Sequence, residues 1–99
     1  MKASDINELI HPVSSAMVAP DDEILHLLTD SRRLVDPRGT VFFAIPTARN
    51  TGCRYIGDLI AQGVRDFVVP AECDTVPEGV NVWRVDNVIE ALQTVVAAH

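Results

Sequence analysis

The sequence predicts an α/β domain: a small mixed or parallel sheet of about four strands with flanking helices. Three observations carry this. Residues Thr40 to Ile45 (TVFFAI) hold no charge and are rich in β-branched and aromatic side chains, the composition of a strand covered on both faces. From Cys53 to Gln62 the period becomes helical, with Ile56, Leu59 and Ile60 on one face and Gly63 placed as a C-terminal cap. Phe67 to Val69 is a second buried strand. Strand, helix and strand in that order make a βαβ unit, for which a right-handed crossover is expected.

The other elements follow along the chain. Ser4 to Ile10 reads as a short helix, capped by Ser4, with Ile6, Leu9 and Ile10 on one face and Pro12 ending it. Residues 13–23 are small and polar and end in Asp21-Asp22-Glu23, which predicts a solvated surface loop. Ile24 to Leu28 is a short apolar run interrupted by His26, read as a strand. Pro37-Arg38-Gly39 is a turn signal, and residues 46–52 and 70–80 are loops. Val82 to Val85 makes a fourth strand. Asn87 opens a last helix with Glu90 as capping-box partner and an apolar stripe of Val88, Ile89, Leu92, Val95 and Val96. That helix still runs at Ala97-Ala98-His99, so residues 1–99 read as a single domain cut from a longer protein.

Composition narrows the function. A chain of 99 residues, 47% hydrophobic and 22% charged, has a globular composition and holds one modest core, burying roughly 60–65% of its unfolded surface. No apolar run approaches the roughly 18–20 residues of a membrane span, and the amino-terminal start lacks the apolar core of a signal peptide. A cytoplasmic setting is expected. The net charge of −6 has the wrong sign for a general nucleic-acid or anionic-membrane binder. Yet Arg32, Arg33, Arg38, Arg49 and Arg54 place five of the eight basic residues within 23 positions, which leaves room for a local anion site. Lys2 is the sole lysine. This excludes a Gly-Lys-Ser/Thr phosphate loop and leaves no well-placed lysine for a pyridoxal phosphate Schiff base.

The cysteines and histidines carry little chemistry on their spacing. Cys53 and Cys73 form no CxxC pair, and two reduced thiols are expected. Cys53 sits at a helix start, where a thiol gains reactivity, but His11, His26 and His99 supply no positioned base. A thiol enzyme is therefore the last of three readings. No spacing among these residues suits a metal, so no metal is expected.

The segment Thr29-Asp30-Ser31-Arg32-Arg33 is more informative. It lies just past a strand end, where open α/β sheets place ligands, and hydroxyls with arginine forks suit a phosphate or a nucleotide base. The loop Thr47-Ala48-Arg49-Asn50-Thr51-Gly52 follows the next strand and leads into a helix, another natural anion site. If the two strand ends lie side by side, both loops converge on one pocket. The alternative is a surface turn with incidental arginines.

These residues resemble a segment of the Mur ligases, the ATP-dependent enzymes that add amino acids to the UDP-linked precursor of bacterial cell wall. The resemblance runs through Thr29-Asp30-Ser31-Arg32, Pro37, Gly39 and Val41-Phe42-Phe43-Ala44-Ile45, then Asn50-Thr51-Gly52-Cys53, Tyr55-Ile56, Gly63 with Phe67-Val68-Val69, and Val85-Asp86-Asn87 with Ala91-Leu92-Gln93. It spans about residues 3–99. It implies the family's amino-terminal domain fold, which binds the UDP end of UDP-N-acetylmuramoyl-peptide. Among subfamilies the layout is most similar to the D-alanyl-D-alanine-adding enzymes, and Arg49-Asn50-x-Gly52-x-x-Tyr55-Ile56 is similar to versions fused to an alanine racemase.

By motif match, Ser31 and Arg32 contact the nucleotide or its phosphates, and Thr47, Arg49, Asn50 and Gly52 form the loop over sugar and diphosphate. Thr51 and Cys53 stand where the family has an acidic and a basic residue, leaving Arg49 or Arg54 to compensate, and Pro37-Arg38-Gly39 is one residue longer than the common Pro-Gly. The resemblance puts ATP, magnesium and the catalytic residues in a central domain, so these 99 residues are expected to bind without ligating. Pyridoxal phosphate enters only with a fused racemase. The expected partners are the substrate and the central and carboxy-terminal ligase domains, with no nucleic acid and no membrane. The alternative is a small α/β interaction or regulatory domain without a ligand.

Overall fold

A computed structural model describes residues 1–46, 53–73 and 76–98. The chain is α/β, with a five-stranded mixed sheet and flanking helices. Its strands are β1 (Ser14–Ala16), β2 (His26–Leu28), β3 (Thr40–Phe43), β4 (Asp66–Pro70) and β5 (Asn81–Val85), in the order β1-β5-β4-β3-β2. Strands β2 to β5 are parallel and β1 runs antiparallel on the outer side of β5. The helices are α1 (Ala3–Ile10), α2 (Ile56–Ala61) and α3 (Val88–Ala98), with short 3-10 turns at Ser31–Arg33 and Cys53–Tyr55.

Side chains alternate along the strands, so the central ones feed a core on each face of the sheet. Val41, Phe43, Val68, Trp83 and Val85 face α1 and α3, where Ala3, Ile6, Val88, Ala91 and Val95 complete one core. Phe42, Phe67, Val69 and Val82 face the other way and pack with Ile56 and Leu59 of α2. Phe42 and Phe67 are register partners, and their rings meet edge to face at 6.4 Å and 72°, a favoured aromatic geometry. Two glycines make the turns possible. Gly39 (φ +74°) enters β3, where a Cβ would lie 3.2 Å from the Glu23 carbonyl oxygen; Gly63 (φ +107°) closes α2 as expected, its N–H donating to the Ile60 carbonyl.

The structure departs from the sequence reading in four places. There are five strands rather than four, because β1 (Ser-Ser-Ala) is exposed throughout and has no apolar alternation to reveal it. Backbone pairing holds it: Ser15 opposes Trp83, and the Val13 N–H donates to the Arg84 carbonyl at 2.8 Å. Helix α1 starts at Ala3, and the Asp5 carboxylate accepts the Lys2 backbone N–H at 2.9 Å, so Ser4 is not the cap. On α3, Asn87 caps as expected, accepting from the Glu90 N–H at 2.9 Å. The buried seam, however, is Val88-Ala91-Val95, and Ile89 and Val96 are about half exposed. Finally, Cys53 and Cys73 are joined as a disulfide, where reduced thiols were expected. Spacing of twenty residues gave no hint, because parallel pairing of β3 with β4 is what brings the segments after them together.

Candidate functional site

The carboxy-terminal edge of the parallel strands gathers the groups with the most binding chemistry. Pairing of Leu28 with Phe42 sets the ends of β2 and β3 side by side. Ser31 and Arg32 sit in the 3-10 turn after β2. Thr47, Arg49, Asn50 and Gly52, the other four expected site residues, lie outside the described residues, as does Thr51.

Asp30 organises the turn after β2, although the sequence reading did not name it as a site residue. Its carboxylate accepts the Arg32 backbone N–H at 3.0 Å, the Arg32 Nε at 3.1 Å and the Arg32 Nη2 at 3.0 Å. Arg33 Nε lies 3.8 Å from the same carboxylate. The Arg32 side chain, its hydrogen bond first and the turn's backbone N–H second, holds the Asp30 carboxyl down at about 2, because both favour the charged form. The consequence is geometric. Asp30 engages two N–H donors of the Arg32 side chain, out of the five a guanidinium carries, and the side chain is 87% exposed. The fork is thus held in one orientation with donors still directed to solvent.

The second turn, Cys53–Tyr55, follows β3 at the same end of the sheet. Arg32 is raised above its ordinary value chiefly by its hydrogen bond and charge attraction to Asp30. Arg54 sits over the Tyr55 ring with its guanidinium carbon 5.4 Å from the centroid, a cation–π distance. Three arginines, Arg32, Arg33 and Arg54, therefore share this end with an aromatic ring. No local pattern in the sequence places the two turns at one end, since that depends on the adjacency of β2 and β3.

The expected cluster of five arginines is thereby divided. Arg38 lies at the opposite end of the sheet, beside Asp36 and a cleft it lines with Arg65 and Asp66, and Arg49 is not described. The disulfide joins Cys53, the first residue of the Tyr55 turn, to Cys73 after β4; Arg84 Nε donates to the Cys73 carbonyl at 3.0 Å.

The amino-terminal ends of the strands have a different character. There the Asn81 amide accepts the backbone N–H groups of Val18 and Ala19 at 2.8 and 2.9 Å and donates to Asp66 at 2.7 Å and to the Ala19 carbonyl at 2.9 Å. Burial pushes the Asp66 carboxyl up to about 6, against the opposing hydrogen bond from Asn81. Asn81 and Asp66 are both almost wholly buried, and the network ties the loop before β2 to the starts of β4 and β5.

Among the described residues, no three or more His, Cys, Asp or Glu side chains are grouped as a metal ion would require. No helix among them is long and apolar enough to cross a membrane. Fold and site together define an α/β domain with an arginine-bearing turn at the carboxy-terminal edge of its parallel strands. Comparison with known proteins finds no matching family model, curated protein or solved structure.

Proposed function

We propose that this chain is the UDP-substrate-binding domain of a Mur ligase, with the amino-terminal-domain fold of that family, and that it acts in the D-alanyl-D-alanine-adding step of peptidoglycan synthesis in the cytoplasm. One observation carries the reading. The Thr29-Asp30-Ser31-Arg32 motif falls at the exit of β2, with Asp30 bracing the Arg32 fork, and the turn carrying Tyr55 follows β3, the neighbouring strand. A braced guanidinium binds a diphosphate by charge-assisted hydrogen bonds, the Ser31 hydroxyl adds a donor or acceptor, and an aromatic ring suits the uracil or sugar. Thr47, Arg49, Asn50 and Gly52 enter this reading through the resemblance.

The domain's share of the reaction is positioning. Binding energy at the UDP end, remote from the reacting carboxyl, helps hold that carboxyl in place. ATP and magnesium would be bound by a central domain, where they supply carboxyl activation as an acyl phosphate; among the described residues here, no side chains are assigned to them. The interaction-module alternative rests on Ile89 and Val96, exposed seven residues apart on one side of α3.

Isothermal titration with UDP, and with ATP as control, tests the proposal. UDP should bind and ATP should not, and the double substitution Ser31→Ala with Arg32→Ala should abolish UDP binding while the circular dichroism spectrum is unchanged. Undiminished affinity in the double variant would overturn the site.

A further inference from the structure

We propose that the Cys53–Cys73 bond is a redox clamp on the candidate site, fixing the Cys53–Tyr55 turn when oxidised and releasing it when reduced. For its ligand readout the proposal rests on the nucleotide-binding reading above. Three observations carry it. The bond links the segments that follow two neighbouring parallel strands, β3 and β4, at the sheet end that carries Arg32, Arg54 and Tyr55. Its Cys73 side is anchored: that residue is buried, its N–H donates to the Pro70 carbonyl at 3.0 Å, and its carbonyl accepts from Arg84 Nε at 3.0 Å. Its Cys53 side opens the turn carrying Arg54 and Tyr55, and Cys53 is half-buried, the more accessible of the two residues.

The chemistry is thiol–disulfide exchange with a dithiol reductant. One thiolate of the dithiol attacks Cys53 Sγ, the protein S–S bond breaks, and Cys73 leaves as a thiolate. The second thiol of the dithiol then displaces Cys53. Two electrons and two protons pass to the protein, which ends with two thiols, and the dithiol ends as a disulfide. A small-molecule disulfide reverses both steps and is itself reduced to two thiols. In the oxidised state Tyr55 is tied covalently, through Cys53, to the segment after β4, so the turn carrying Arg54 and Tyr55 is pre-organised. Pre-organisation of this kind raises affinity by removing an ordering cost from binding.

The test compares the chain oxidised, the chain reduced with dithiothreitol, and the double substitution Cys53→Ser with Cys73→Ser. UDP affinity is read by calorimetry, and backbone hydrogen exchange at Cys53–Ala61 by mass spectrometry. The oxidised chain should bind UDP about tenfold more tightly than the reduced chain, with slower exchange across the turn, and the double-serine chain should match the reduced one. Equal exchange and equal affinity in the two redox states would overturn the clamp while leaving nucleotide binding intact. If no form binds UDP, the nucleotide reading falls, and exchange alone decides the clamp: a redox-dependent rate at Cys53–Tyr55 sustains it, and an unchanged rate ends it.

Discussion

Asp30 and Asp66 are the same residue type at opposite ends of one sheet, and their carboxyls are displaced in opposite directions. Asp30 is held down at about 2 by an exposed arginine that it braces, and Asp66 is pushed up to about 6 by burial. Around Asp30 the partners are side chains with unused donors in water. Around Asp66 they are a buried amide and the backbone it organises. The first arrangement can exchange its water for a ligand at little cost to the fold. The second cannot, because every group in it is already committed to holding three segments together. A polar cluster is thus left open to solvent at one end of the sheet and committed to architecture at the other, and burial decides which.

Four changes sharpen or break that contrast. The largest effect is expected from Asn81→Ala, which strands the Val18 and Ala19 N–H groups and the Asp66 carboxyl. Urea unfolding should show a loss of about 3 kcal/mol; a loss below about 1 kcal/mol would mean that the amino-terminal end is not held by this amide. Reduction of the disulfide, which closes a 20-residue span, should lower stability by about 3 kcal/mol on the loop-closure estimate, measured by the same unfolding with and without reductant. Unlike the asparagine change, it acts at the end of the sheet assigned to binding.

Asp66→Asn should stabilise the chain near neutral pH. The Asp66 pKa of about 6 lies above its ordinary value of 3.8, so its contribution is fully present below about pH 4 and is lost as pH rises through about 6. Asn81 can still donate to the amide oxygen of the variant. A gain of about 1–2 kcal/mol is expected at pH 7.5, shrinking towards nothing at pH 4, as read by melting across pH. A gain independent of pH would contradict the buried-carboxyl account. The smallest effect on stability belongs to Asp30→Ala, since the ion pair is exposed. It should nonetheless weaken UDP binding about tenfold by freeing the Arg32 fork. Equal weakening from Asp66→Asn would erase the distinction between the two ends.

How much of this was legible in the sequence follows the same division. Strand β3, the βαβ unit, Gly63 and the Asn87 cap were readable, because each rests on local periodicity or on turn chemistry. Strand β1 was not, since Ser14-Ser15-Ala16 owes its conformation to pairing with β5 rather than to its own residues. Ile89 and Val96 were misplaced into the core because apolar spacing marks a wide stripe, while the sheet accepts the narrower seam of Val88, Ala91 and Val95. At the candidate site, the polar break after a strand was enough to single out Ser31 and Arg32, which lie in the turn after β2. Asp30 could have been found from its position two residues before Arg32, a spacing at which an aspartate accepts backbone N–H groups. Tyr55 and the disulfide depend on strand order, which no local pattern encodes.

The measurement closest to the central claim is a nitrogen–proton correlation NMR titration of the chain with UDP, against ATP as control. Shifts confined to residues 29–33 and 47–55 on addition of UDP, with the Asp66 and Asn81 amides unmoved, are the predicted result. Silence towards UDP, or shifts centred on Asp66 and Asn81, would contradict the assignment of binding to the carboxy-terminal edge of the sheet.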